Sequence, residues 1–449
     1  MRTPFVRQET ATVSEESLRR PLLAVFAGTL VALLLCVTLA GPAGADDDDD
    51  DGGEYVSRQI VVKIKAGASI GAIERKYRVS RIERLPGGGK IYLVKTRRGV
   101  NPANLARRME QDSRVLYAEP NFRTGLPEAS RQHRARPGGE PVPSSDPARY
   151  RSQYAVDNLK LTEAHGVNRG AGAVVAVIDT GAQADHPELS GRLMAGYDFV
   201  GRDGNPADKG NGRDDDRDGE VDETVGHGTH VAGIVALAAP KAKIMPIRAL
   251  DTEGRGTTFG VAKAIRYAVS NGADVVNLSL GTSRKTELLE DLIGDDDDDD
   301  DDGGSNGRDV VFVAAAGNDS DTRRQYPAAE EGAIAVTSVG EDRTRSGFAN
   351  YGPWVTIAAP GDDIHSPFPE NRYAMWDGTS MATPFVAAQA ALVRSARPSA
   401  SSECVIGIIR QTAQPSSDTS LQAGHADVEA STKYAADPAR PCSGAGGDD

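Results

Sequence analysis

With 449 residues, 39% of them hydrophobic, the chain is long enough for two or three domains, at least one with a large core. The formal charge of −14 comes wholly from two runs, Asp46–Asp51 and Asp295–Asp302; without them the balance is zero. This excludes a generally acidic, halophile-like surface and leaves no basic footprint for nucleic acid.

In chain order, residues 1–45 read as an export signal: Arg19 and Arg20 precede an apolar stretch from Leu22 to Ala40, and Ala43-Gly44-Ala45 offers a small-residue cleavage site. The stretch also reaches bilayer length, so an uncleaved anchor is the alternative, and the membrane enters only there. A secreted protein is the expectation. Residues 46–54 carry the first acidic run. Residues 55–122 predict a small βαββαβ domain of ferredoxin-like kind. Its strand Gln59–Lys65 alternates Ile60, Val62 and Ile64; a helix over Ser69–Tyr77 opens on a Ser cap; a strand covers Lys90–Thr96; a second helix over Asn101–Gln111 has Pro102 just inside its start; a last strand begins at Val115. Residues 123–149 are rich in Arg, Pro, Gly, Ser and Ala without periodicity, and predict an unstructured linker open to proteolysis.

From 150 to 436 buried-type strands alternate with helical stretches: Ala173–Ile178, Ile244–Ala249, Val275–Leu280, Val310–Ala315 and Ile334–Val339. That pattern predicts an α/β fold, a parallel sheet with helices on both faces. Residues 437–449 form a tail. Cys36 leaves with the signal, so Cys404 and Cys442 are an even pair for an oxidising compartment; a bridge between them would tie the tail to the last helix.

Three segments carry chemistry. Asp179 ends the first strand of the large domain, which places its carboxylate at the sheet's carboxyl edge. His227 lies between Gly226 and Gly228 at the start of a helix, where its imidazole can serve as a general base. Ser380 opens a helix over Thr379–Ser395, and its N–H is among the unsatisfied donors of a helix start. Pro384 removes the helical donor for the Ser380 carbonyl. A hydroxyl is a poor nucleophile unless a base takes its proton, and the base needs an orienting carboxylate. His230 reads as a packed structural side chain. The acidic stretch Asp214–Glu223 places Asp214, Asp216 and Asp218 at alternate positions before Gly219, with Asp222 beyond; the residues leave open a calcium loop or a solvated acidic loop. The aspartate runs have no catalytic reading.

In the segments around Asp179, Gly226-His227-Gly228-Thr229-His230 and Gly378–Pro384, and across 150–436, the chain resembles the subtilisin-like serine proteases. Tyr117-Ala118-Glu119-Pro120-Asn121 resembles the close of their inhibitory propeptides. The resemblance implies an endopeptidase made as a zymogen, its own propeptide acting as inhibitor, and protein or peptide substrates. It makes Asn318 the second oxyanion donor beside the N–H of Ser380. It makes Gly254, Gly256, Ser279, Leu280 and Gly281 the backbone that pairs with an extended substrate, and Ala315, Ala316 and Gly317 the wall of the pocket before the cut. No catalytic cofactor is implied; calcium is structural if present. One departure stands out: Val231–Pro240 has no extra loop where many subtilisins bind calcium, so Glu188 loses its familiar role. Two other readings remain: a maturation protease with one partner substrate, and a calcium-dependent surface binding protein on the same scaffold.

Overall fold

The computed structural model describes residues 53–136, 138–294, 309–421 and 423–442. The expected signal and both aspartate runs lie outside these residues. The N-terminal domain runs β1 (Tyr55–Ile64), α1 (Ile70–Tyr77), β2 (Ser80–Arg84), β3 (Ile91–Lys95), α2 (Pro102–Met109) and β4 (Val115–Gly125). Alternation along β1 assigns its two faces. Ile60, Val62 and Ile64 pack under the helices with Ile73, Leu105 and Met109. Val61 turns the other way, joining Leu85, Leu93 and Tyr117 against Phe259 and Leu288 of the large domain. Asn101 caps α2 by accepting from the Asn104 N–H at 2.9 Å, whereas Ser69 stands at the start of α1 without a capping bond.

Beyond β4 come α3 (Arg131–Arg134), β5 (Val142–Ser144), α4 (Pro147–Ser152), α5 (Tyr154–Asn158), α6 (Leu161–Val167), β6 (Val174–Asp179) and β7 (Tyr197–Asp198). They are followed by α7 (His227–Ala238), β8 (Lys243–Arg248), β9 (Arg255–Thr257), α8 (Thr258–Ser270), β10 (Val275–Leu278), α9 (Glu287–Ile293), β11 (Val311–Ala315) and β12 (Ala333–Val339). The chain closes with β13 (Ile357–Pro360), β14 (Ile364–Phe368), β15 (Arg372–Trp376), α10 (Thr379–Ala396), α11 (Ser402–Thr412), β16 (Gly424–His425) and α12 (Val428–Ala436).

The main sheet is parallel, in the order β16-β13-β12-β11-β10-β6-β8-β7. Along β6, Val175 and Val177 face α7 and α10, while Ala176 and Ile178 face α8. Covering both faces is what a parallel sheet of this size demands. Cys404 of α11 is bonded to Cys442, so the bridge ties the tail to the penultimate helix rather than the last. Among the described residues no helix is long and apolar enough to cross a membrane.

The linker differs from expectation. Residues 123–149 are not structureless: β4 continues through Gly125, a short 3-10 turn covers Pro127–Ala129, and α3, β5 and the start of α4 follow. The reason is tertiary. Arg123, Thr124 and Gly125 pair antiparallel with Thr257, Gly256 and Arg255 of β9, and β5 pairs antiparallel with β15. A segment with no periodicity of its own takes its conformation from the strands it lies against.

Candidate active site

Asp179, the last residue of β6, is fully buried, and its Oδ1 accepts from the Thr180 N–H at 2.7 Å. His227 is the first residue of α7, and its Nδ1–H donates to the same oxygen at 2.8 Å. The glycines beside it are forced by close approach. A Cβ on Gly226, at φ +99°, would lie 2.3 Å from the Phe368 ring, and one on Gly228 would lie 2.1 Å from the Gly181 carbonyl. The Trp376 ring meets His227 edge to face at 5.2 Å. His230 is a different case. Its Nε2 lies 3.1 Å from the carbonyls of Ile364 and Ala374, and burial pushes it down to about 3, a neutral structural side chain.

Ser380 lies in the first turn of α10 and is fully buried. Its carbonyl, deprived of a helical donor by Pro384, accepts from the Ser279 hydroxyl at 2.9 Å. Asn318, just past β11, has its side chain locked in one orientation. Its Oδ1 accepts from the Thr379 N–H at 3.0 Å and the Thr379 hydroxyl at 2.9 Å, which turns Nδ2 into the site.

His227, Ser380 and Asn318 converge on a residue that sequence reasoning missed, Glu128 of the linker. Ser380 Oγ donates to its Oε2 at 2.6 Å, and His227 Nε2 lies 3.4 Å from that oxygen. Asn318 Nδ2 and the Ser380 N–H donate to its Oε1 at 2.8 and 3.3 Å. Burial alone would raise the Glu128 carboxyl, but the His227 imidazolium 3.4 Å away, helped by the charge of His133 and the bond from Ser380, outweighs it and holds it down at about 2. For His227 burial lowers, yet Asp179 and Glu128 together raise it to about 10. Burial raises Asp179 against the pull of the imidazolium.

The backbone ahead of Glu128 lies in the expected substrate track. The Leu126 N–H donates to the Gly254 carbonyl at 3.0 Å, and Gly125 exchanges two 2.9 Å bonds with Gly281. A strand is thus added between the Gly254–Gly256 and Ser279–Gly281 segments. Beside Pro127 a cavity of about 400 Å³ is lined by Gly281, Gly317, Asn318, Asp319 and Gln325. Of the predicted wall only Gly317 reaches it; Ala315 and Ala316 are buried beneath, with Ala316 packed against Val355 and Ala423.

Asp208 was also missed, because nothing around it forms a motif. Its carboxylate accepts from Thr180 Oγ1 at 3.1 Å, the Gly226 N–H at 3.0 Å, the Thr229 N–H at 2.9 Å and Thr229 Oγ1 at 2.7 Å. It therefore ties the turn after Asp179 to the start of α7.

In the acidic loop, carboxylate oxygens of Asp214, Asp216 and Asp218 lie within 4.8 Å of one another. Asp222 does not join them. It accepts from the Asn211 and Gly212 N–H groups at 2.9 and 2.7 Å, which commits it to a turn. Arginines already meet this loop. Arg255 pairs with Asp216, and Arg134 of α3 reaches Asp218 at 3.0 Å, Glu220 at 2.5 Å and Glu223 at 3.1 Å. The hard carboxylate oxygens suit calcium, and Asp218 is shared between that triad and Arg134.

A serine hydroxyl, an imidazole bound to a buried carboxylate, and two N–H donors that meet on one carboxylate at the carboxyl edge of a parallel sheet form an arrangement of the serine-hydrolase kind, here with its own chain laid across the cleft. The profile described as the Subtilase family matches residues 170–433, and the fervidolysin N-terminal prodomain profile matches residues 42–121. The chain belongs to the subtilase family, as a serine endopeptidase made with a prodomain. It is 38% identical to thermitase of Thermoactinomyces vulgaris over 285 residues, 61% of this chain and 93% of thermitase. A solved protease from Pseudoalteromonas arctica superposes with a TM-score of 0.57 at 30% identity, covering 65% of this chain and 99% of that one. Fervidolysin from Fervidobacterium pennivorans, at 22% identity, shares the fold with a TM-score of 0.65 over 85% of this chain and 61% of its own.

Proposed function

We propose that the chain is an exported endopeptidase that cleaves protein substrates through an acyl-enzyme on Ser380, with residues 55–122 as its inhibitory propeptide. One observation carries this reading. The Ser380 hydroxyl, the Asp179-bound His227 and the Asn318 amide all contact a single carboxylate, so a substrate carbonyl placed there would meet all three. With Glu128 withdrawn, Ser380 Oγ attacks the carbonyl carbon and its proton passes to His227 Nε2. The oxyanion takes hydrogen bonds from Asn318 Nδ2 and the Ser380 N–H. Collapse breaks the C–N bond as His227 returns the proton to the leaving amine, and water hydrolyses the acyl-enzyme by the reverse relay. Asp179 holds the imidazole and stabilises its charged form.

Casein hydrolysis blocked by a serine-directed reagent tests the reading. Ser380→Ala or His227→Ala should lower kcat by at least about 10³-fold. Asn318→Ala should lower it by about 10²–10³-fold, a magnitude known from subtilisin itself. Activity surviving both the reagent and Ser380→Ala ends the idea. Amino-terminal sequencing of the secreted protein beside Ser380→Ala tests export, self-cleavage and the boundary together. A peptide library separates broad digestion from a maturation protease with one partner.

Calcium belongs to the same reading as a structural ion, held by Asp214, Asp216 and Asp218. It would neutralise a loop whose like charges otherwise repel.

A further inference from the structure

The geometry points to Glu128 as a carboxylate latch: a linker side chain that fills the oxyanion site and engages nucleophile and base together, so that self-cleavage waits on its withdrawal. The inference rests on the protease reading above but goes beyond it, because it moves the block at the reaction centre out of the propeptide domain and onto one residue downstream.

The fit argues for a built site. The Glu128 side chain is 0% exposed, and each oxygen meets two groups of the machinery, Asn318 Nδ2 and the Ser380 N–H for Oε1, Ser380 Oγ and His227 Nε2 for Oε2. A Cβ on Gly378 would stand 2.0 Å from Oε1, so that glycine leaves the room the side chain needs. A buried carboxylate is costly unless paired, and here the pairing occupies the nucleophile, the base and both oxyanion donors.

The backbone makes the same point. Pairing with the large domain runs through Leu126, then Pro127 opens a 3-10 turn. The hole therefore receives a side-chain carboxylate where cleavage would need a peptide carbonyl. The segment is held on the far side as well. His133 Nε2 lies 3.0 Å from the Asp377 carbonyl, its ring meets Phe348 edge to face at 5.1 Å, and Arg134 is paired with three acidic side chains. The ionisable groups that face Glu128 are His227 from α7, with Asp179 and Asp208 behind it, and His133 from α3.

Two measurements on the full chain test the latch. In Ser380→Ala, which remains uncut, histidine ¹⁵N resonances report the protonation of His227. Adding Glu128→Gln, close in size but neutral, should lower its titration midpoint by at least about one pH unit, tenfold in proton affinity. An unchanged midpoint overturns the latch. The readout needs no turnover, so it stands apart from any failure of the protease reading. With Ser380 intact, chains carrying Glu128→Gln or Glu128→Ala are diluted from denaturant, and loss of the intact chain is followed. Processing at least tenfold faster than in the parent is expected. Equal or slower processing removes the latch even if the His227 shift is seen, and thermal unfolding of each chain separates this from a folding defect.

Discussion

At the level of single residues, the Glu128–His227 pair makes the closed state depend on pH. Glu128 is depressed to about 2, so its contribution is present above the ordinary carboxyl value near 4.5 and lost as pH falls toward 2. His227 is raised to about 10, so its contribution is complete below about 6.5 and lost as pH rises toward 10. The latch is therefore strongest between about pH 4.5 and 6.5. Self-processing should accelerate between about pH 7 and 10, and the melting temperature of the Ser380→Ala chain should fall over the same interval. Glu119, which burial raises to about 8, weakens the propeptide contact in the same direction as pH rises. The difference between Ser380→Ala chains with and without Glu128→Gln isolates the latch. A pH profile identical in both would contradict the assignment. Asp208 is a positioning residue of another kind. Asp208→Asn leaves fewer acceptors for the Thr180, Gly226 and Thr229 donors, and about 1–3 kcal/mol of stability should be lost, read from denaturant midpoints. A fall in kcat at unchanged KM is expected, because the residue orients Asp179 and His227 without touching substrate.

Among the elements, α10 shows how a local fault is repaired at a distance. Pro384 removes the donor for the Ser380 carbonyl, and the Ser279 hydroxyl from the segment after β10 replaces it. Ser279→Ala should cost about 1–3 kcal/mol by leaving that buried carbonyl unpartnered, measurable as a lower melting temperature. The acidic loop and α3 behave as one unit. In the full chain Arg134, its side chain only 8% exposed, supplies positive charge to Asp218, Glu220 and Glu223. The proposed calcium would add to the charge that Arg134 and Arg255 already supply. Chelation should therefore lower the melting temperature of uncut Ser380→Ala carrying Arg134→Ala by several degrees more than that of uncut Ser380→Ala alone. Equal losses would separate the loop from α3.

On the scale of the whole molecule, the propeptide domain is joined to the enzyme by bonds at helix starts and by a sheet that crosses the boundary. Asn121 Oδ1 accepts from the Phe259 N–H at 3.0 Å at the start of α8, and Glu119 accepts from the Glu287 and Leu288 N–H groups at 3.0 and 3.2 Å at the start of α9. Each satisfies donors that a helix start leaves open. β4 pairs with β9, so one five-stranded sheet contains strands from both domains. Removing the propeptide therefore uncovers Phe259 and Leu288 and takes the acceptors from the Phe259, Glu287 and Leu288 N–H groups, while the caps Thr257 and Thr286 stay with the enzyme.

Much of this was legible in the amino-acid order. Apolar runs of strand length mark a parallel sheet, alternation in β1 marks a two-faced strand, and small residues around Asp179, His227 and Ser380 mark places where backbones must approach closely. These signals are local, because they arise from side-chain period and from the steric demands of single positions. Three things were not legible: the order within the linker, the carboxylate of Glu128 at the reaction centre, and the buried junction made by Asp208. The last two depend on partners between 18 and 252 residues away in the chain. A carboxylate acquires its role only when folding decides which donors surround it and how far water is excluded, and neither quantity is written in its neighbours.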